Sequence, residues 1–136
     1  MTKIRFNNME TQNIPTSVKI FTWILILAGS FFFYVYTFHP SISFPNANLD
    51  TYSAKMGFGS AGVRILGSVL ALLISVIANK PKWLFITLIS RIFIELGDLV
   101  LGLKLDGFTP NVFALLILAS AEIWAVWKLL PFQKEN

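Results

Sequence analysis

Cysteine is absent from these 136 residues, histidine occurs once, and charged residues make up only 13%. Without cysteine there are no disulfides, no thiolate nucleophile and no thiol-based redox chemistry. The single histidine, His39, has no cluster of carboxylates beside it and stands at the end of an apolar run. That is a poor start for a metal site, and it suits an interfacial side chain. No metal and no cofactor are expected. The scarcity of charge excludes more. A soluble domain carries about 25% charged residues, and here the hydrophobic fraction is 55%, too much for the remaining polar side chains to cover as a core.

What is present is a set of long apolar runs. Four segments, 18–38, 59–78, 83–103 and 110–130, reach the roughly 20 residues a membrane-spanning helix needs. The first is too long, and too bulky at Phe31-Phe32-Phe33-Tyr34, for a cleaved signal peptide, and it reads as a retained helix. Trp23 near one end of that run and Tyr34 and Tyr36 near the other suit interfacial aromatic belts. The expected fold is all-α, a four-helix transmembrane bundle. A polar segment 1–17 precedes it, a connection 39–58 joins the first two helices and a tail 131–136 follows. Pro40, Pro45, Asn46 and Asn48 interrupt regular structure in the connection, which is either a short cap over the bundle or a disordered link.

The net charge of +4 raises the question of nucleic acid. The lysines, however, sit at the ends of the apolar runs rather than in one patch, so a lipid bilayer is the expected partner and nucleic acid is not. Of eleven Lys and Arg residues, Arg64 and Arg91 fall inside spans. Lys3, Arg5, Lys19, Lys80, Lys82, Lys128 and Lys134 fall on one side, and Lys55 and Lys104 on the other. The positive-inside rule then puts both termini and the Asn79–Lys82 turn in the cytoplasm, in a multi-pass protein of the cell (inner) membrane. Lys3 and Arg5 are placed to touch anionic lipid head groups.

Five ionisable residues fall inside these spans: Arg64, Arg91, Glu95, Asp98 and Glu122. Each costs about 2.5–3.5 kcal/mol on insertion scales when placed mid-membrane, so each needs a reason. Arg91, Glu95 and Asp98 stand at i, i+4 and i+7 and share a helix face, which must point into the bundle. With a rise of about 1.5 Å per residue, Arg64 and Asp98 lie at matching depths near the outer side, and Arg91 and Glu122 at matching depths further in. Two ion pairs follow, Arg64 with Asp98 and Arg91 with Glu122. Glu95 is left without a cation of its own, or shares Arg91 with Glu122, or with a shift of a few residues in the helix bounds takes the place of either carboxylate.

Gly57-Phe58-Gly59-Ser60-Ala61-Gly62 fits G-x-G-x-x-G, but no strand precedes it and no acidic residue stands at the required place for a dinucleotide site. Extended through Gly67, Ser68, Ala71 and Ser75, it reads as a small-residue surface that lets another helix approach closely. No serine lies in a nucleophile motif, so a hydrolase triad is not supported. The first helix, with no acid or base inside its apolar run, reads as a lipid-facing wall.

From about Arg64 to Leu130 the chain resembles the uncharacterised DoxX-like families of small four-helix bacterial membrane proteins. The residues that carry the resemblance are Arg64 and Gly67 early in the second helix, the short basic turn, Glu95-Leu96-Gly97-Asp98 leading into Leu105-Asp106-Gly107, and Glu122. Some related domains carry Gly-Arg where this chain has Gly97-Asp98, so relative to those the charge there is reversed. The resemblance implies a four-helix membrane bundle and no established activity.

Three functional expectations follow. The first is a non-enzymatic membrane protein whose polar core binds a small ligand or a lipid head group. The second is a proton-coupled transporter or channel component, assembled as a homo-oligomer, with Glu95 titrating. The third is a structural or accessory membrane subunit whose charges serve packing.

Overall fold

The computed structural model describes residues 13–43 and 48–133. Among the described residues there are four α-helices, α1 (Thr16–Phe38), α2 (Tyr52–Ile77), α3 (Pro81–Asp106) and α4 (Pro110–Leu129), two short 3-10 turns at Pro40–Ile42 and Leu130–Gln133, and no strand. The chain is all-α, as its composition implied. Lys3, Arg5 and Lys134 of the charge count, and Pro45 and Asn46 of the connection, lie outside the described residues.

Local chemistry sets the helix ends. Pro81 and Pro110 occupy the first turns of α3 and α4, where a missing N–H loses nothing. Thr109 Oγ1 accepts from the Val112 N–H at 3.4 Å, and Gly107, at φ +70°, follows the last turn of α3. The end of α2 is a Schellman turn: the Lys80 N–H donates to the Ser75 carbonyl, the Asn79 N–H donates to the Val76 carbonyl, and Asn79 takes φ +51°. Asn tolerates this left-handed conformation better than most side chains. The start of α2 differs from expectation. It begins at Tyr52 rather than near residue 59, because Thr51 Oγ1 accepts from the Ala54 N–H at 3.2 Å and caps the helix early. The last part of the expected 39–58 connection is therefore helix.

Paired contacts give the helix directions. Across α2 and α3, Arg64 meets Asp98, Ser68 meets Arg91 and Ser75 meets Thr87, so residue numbers fall on one helix as they rise on the other. Each helix runs antiparallel to the next. The Asn79 side chain accepts from the Ile14 N–H at 3.2 Å and donates to Asn13, which ties the start of α1 to the α2–α3 turn. Both ends of the described chain thus lie at the end of the molecule that carries this turn.

That end is closed by an apolar core of Ile14, Val18, Leu25 and Ile26 from α1 and its approach, Val69, Leu72 and Val76 from α2, Leu84 and Leu88 from α3, and Ala125 and Leu129 from α4. Phe21 and Trp124 meet edge-to-face across α1 and α4, with ring centroids 6.2 Å apart. The molecule's outer surface is apolar as well: Leu27, Val63, Phe93, Ile117 and Trp127 are all exposed. Three helical stretches, Thr16–Phe38, Tyr52–Ile77 and Pro110–Gln133, are long and apolar enough to cross a membrane. The remaining helix, α3, is as long as α2, but Lys82, Arg91, Glu95, Asp98 and Lys104 interrupt its apolar character.

The small-residue surface is used differently from the reading above. Gly62 packs against Thr37 and Phe33 of α1, whereas Gly57, Gly59 and Gly67 meet no neighbouring helix. Ser68 and Ser75 serve as hydrogen-bonding residues facing α3. The close approach is completed from α1, where a Cβ on Gly29 would stand 2.5 Å from Val69 Cγ2. Val69 is buried and β-branched, so it has little freedom to yield. Gly29→Ala should lower stability by about 1–3 kcal/mol through overpacking. Gly67→Ala, in open space, should be neutral or gain up to about 1 kcal/mol of helix propensity. Thermal unfolding in detergent micelles, followed by circular dichroism, checks both. Equal effects from the two changes would refute the close α1–α2 contact.

Candidate functional site

Above the apolar core the two hairpins, α1/α2 and α3/α4, enclose a cavity of about 520 Å³ to which all four helices contribute. Its walls follow helical spacing. From α1 come Leu25, Gly29, Phe32 and Tyr36, from α2 Ala54, Phe58, Ala61, Arg64, Ile65 and Ser68, and from α4 Leu115 and Leu118. Arg91, Ile94, Glu95 and Asp98 of α3 form the most charged wall. α1 therefore lines the cavity rather than serving only as a lipid-facing wall, because each helix has two faces and its i, i+4, i+7 stripe of small and aromatic residues turns inward.

The ionisable residues singled out from the sequence come together in two layers. In the layer nearer the open end, Arg64 Nη2 donates to both carboxylate oxygens of Asp98, at 3.1 and 3.0 Å. This pair is half-exposed. The deeper layer is organised by Arg91. Its Nε donates to Glu122 Oε1 at 2.6 Å, its Nη2 to Glu95 Oε1 at 2.8 Å and its Nη1 to Ser68 Oγ at 2.6 Å. Both pairs inferred from helical depth are present. Glu95 is not without a cation: it shares Arg91 with Glu122, because one helical turn separates Glu95 from Arg91 on α3.

Sharing leaves the deeper layer incompletely satisfied. Glu122 is fully buried and the Glu95 side chain is nine-tenths buried. The second oxygen of each, Oε2, is buried without a hydrogen-bond donor among the described residues. With all five groups ionised, two positive charges face three negative ones, an excess of one negative charge. A smaller crevice of about 200 Å³ between α2 and α3 shares Arg64, Ser68, Arg91 and Ile94 with the main cavity and adds Thr87 and Ser90.

Tyr36, which its place near the outer end of the first apolar run offered as a lining residue, does line the cavity; sequence reasoning missed Ser68 as a partner of Arg91 and Phe58 as a partner of Tyr36. Ser68 stands one turn after Arg64, which places it on the charged face of α2 and was the available signal. Tyr36 stacks between Phe32 and Phe58, with centroids 6.2 and 6.0 Å apart and planes inclined by 27° in each case. This arrangement depends on Phe58 being helical and so could not be read from spacing. His39 lies away from the charged layers, with its ring 5.2 Å from that of Tyr34. Among the described residues no three His, Cys, Asp or Glu side chains converge as a metal-holding group.

In comparisons with known proteins, no family model, no curated protein and no solved structure matches this chain.

The asymmetry between the two layers predicts the effect of substitution. Arg91→Leu strands two buried carboxylates and should destabilise by about 3–5 kcal/mol. Arg64→Leu disrupts a half-exposed pair and should cost about 0–1 kcal/mol. Chemical or thermal unfolding of the purified variants in micelles reads the difference. Similar losses for the two variants would show that Arg91 does not organise the fold.

Proposed function

We propose that this chain is a four-span membrane protein, with both termini in the cytoplasm, whose charged cavity binds a small amphiphilic ligand. The observation that carries this reading is the combination of a 520 Å³ cavity with buried carboxylate oxygens that lack donors at its base. A network serving only helix registration would be expected to satisfy its own buried oxygens. Here both acceptors are buried without donors among the described residues, and Glu95, which carries one of them, lines a space large enough for a small organic molecule.

The membrane placement has its own support. The charged side chains of α3 that fall mid-helix face α2 and α4, while Ile86, Phe93 and Val100 form an exposed apolar stripe on its other side. A helix of this kind spans lipid as part of a bundle although its average composition is less apolar than that of its neighbours. The end carrying the α2–α3 turn holds Lys19, Lys80, Lys82 and Lys128 among the described residues, which favours the cytoplasm for that end. The cavity then opens toward the outer leaflet.

The native chain has no cysteine, so single cysteines report topology without background. In intact cells a membrane-impermeant maleimide should label Asp50→Cys and should reach Lys80→Cys only after permeabilisation. The reverse pattern would overturn the orientation. For the cavity, a panel of small amphiphiles tested by thermal shift in micelles should contain stabilising compounds whose effect is abolished by Ala61→Phe, which fills the space from α2. A panel with no stabilising compound, or stabilisation that persists in Ala61→Phe, would remove the ligand-binding reading.

A further inference from the structure

The deeper charged layer specifies what kind of ligand the cavity takes. Resting on the ligand-binding reading above, we infer that the occupant is a lipophilic ammonium ion, a monocation with N–H donors on an apolar body, whose charged end is held at Glu95.

Three features converge on this class. The first is hydrogen-bonding sense. The two buried side-chain atoms without partners among the described residues, Glu95 Oε2 and Glu122 Oε2, are both carboxylate oxygens, which accept and do not donate when ionised. A ligand that completes this layer brings donors. The second is charge. Both guanidinium groups are already engaged with carboxylates, and with all five groups ionised one negative charge is in excess. An anionic head group would add to that excess in a low-dielectric space, whereas one ammonium neutralises it. The third is the rest of the cavity. Leu25, Ile65, Ile94, Leu115 and Leu118 give an apolar body something to bury against. The stacked rings of Phe32, Tyr36 and Phe58 present aromatic surface, which attracts a passing cation.

Glu95 is the better placed of the two acids. Its side chain lines the cavity, whereas Glu122 is fully buried behind it in the Arg91 layer. The Arg91 bond to Glu95 Oε1 holds the carboxylate in orientation, and its second oxygen is buried in the cavity wall without a donor among the described residues, so a small turn of the side chain presents it to the ligand. A charge-assisted bond of this kind is about twice as strong as a neutral one.

The test is a matched series titrated by calorimetry into the full chain in neutral maltoside micelles: 4-phenylbutylammonium, 4-phenyl-1-butanol and 4-phenylbutyrate, alike in apolar body and different in charge. The ammonium should bind saturably at one per chain, about tenfold or more tighter than the alcohol, with the carboxylate weakest. Glu95→Gln should cost the ammonium about tenfold or more and leave the alcohol unchanged. Equal or tighter binding of the alcohol or the carboxylate, lost in Ala61→Phe, would overturn the ammonium assignment while leaving the cavity reading in place. No saturable binding by any member, or binding that persists in Ala61→Phe, would overturn the cavity reading itself. The wild-type comparison needs no variant, so the inference stays testable even if Glu95→Gln does not fold.

Discussion

A single guanidinium joins three of the four helices. Arg91 stands on α3, and its nitrogens reach Ser68 on α2, Glu122 on α4 and Glu95 one turn along its own helix. Arginine cannot shed its charge when taken out of water, so wherever α3 packs, Arg91 must be met by acceptors. Its planar fork also fixes directions, which an ammonium on a flexible stem would not. The depth of α3 against both neighbours is thereby set, and with it the position of Asp98, about 10 Å further along the helix, where Arg64 meets it.

The rest of the architecture is divided around that layer. On one side lies a continuous apolar core, closed by the Asn79 turn that also holds the approach to α1. On the other side the hairpins separate. Glycines at 29 and 62 let α1 lie close on α2, and Gly102 lies close to Val112, so that α3 rests on α4. Between the pairs stand long polar and aromatic side chains, which hold the helices apart and leave the cavity. One layer of charge thus acts as the boundary between a part of the molecule that is packed and a part that is open.

Much of this was legible because helices act as rulers. A constant rise per residue, applied to short turns on either side, puts Arg64 level with Asp98 and Arg91 level with Glu122 before any coordinates are known. The same arithmetic failed at the beginning of α2, expected near residue 59, because a threonine cap at 51 carried the helix further out. It also left the stoichiometry of Glu95 undecided. Whether two carboxylates divide two cations or share one depends on side-chain reach of a few ångströms, which is below the resolution of a depth estimate. The inward face of α1 escaped for a different reason: a helix of uniformly apolar and aromatic residues has no polar stripe to show which side turns in.

What the sequence by itself determined is the chemistry that had to be accommodated: a helical chain, apolar on its outside, with five ionisable groups set inside apolar runs and so driven to face one another. Composition and periodicity are enough for that, because the penalty for exposing charge to hydrocarbon does not depend on the details of packing. Tertiary structure alone decided that Arg91 serves two acids at once, that Ser68 completes its coordination, and that two buried carboxylate oxygens lack donors among the described residues, one of them on Glu95 in the wall of a cavity to which every helix contributes. Those are matters of distance and direction between side chains far apart in the chain. They arise only when rigid helices with particular small and large residues are brought into contact.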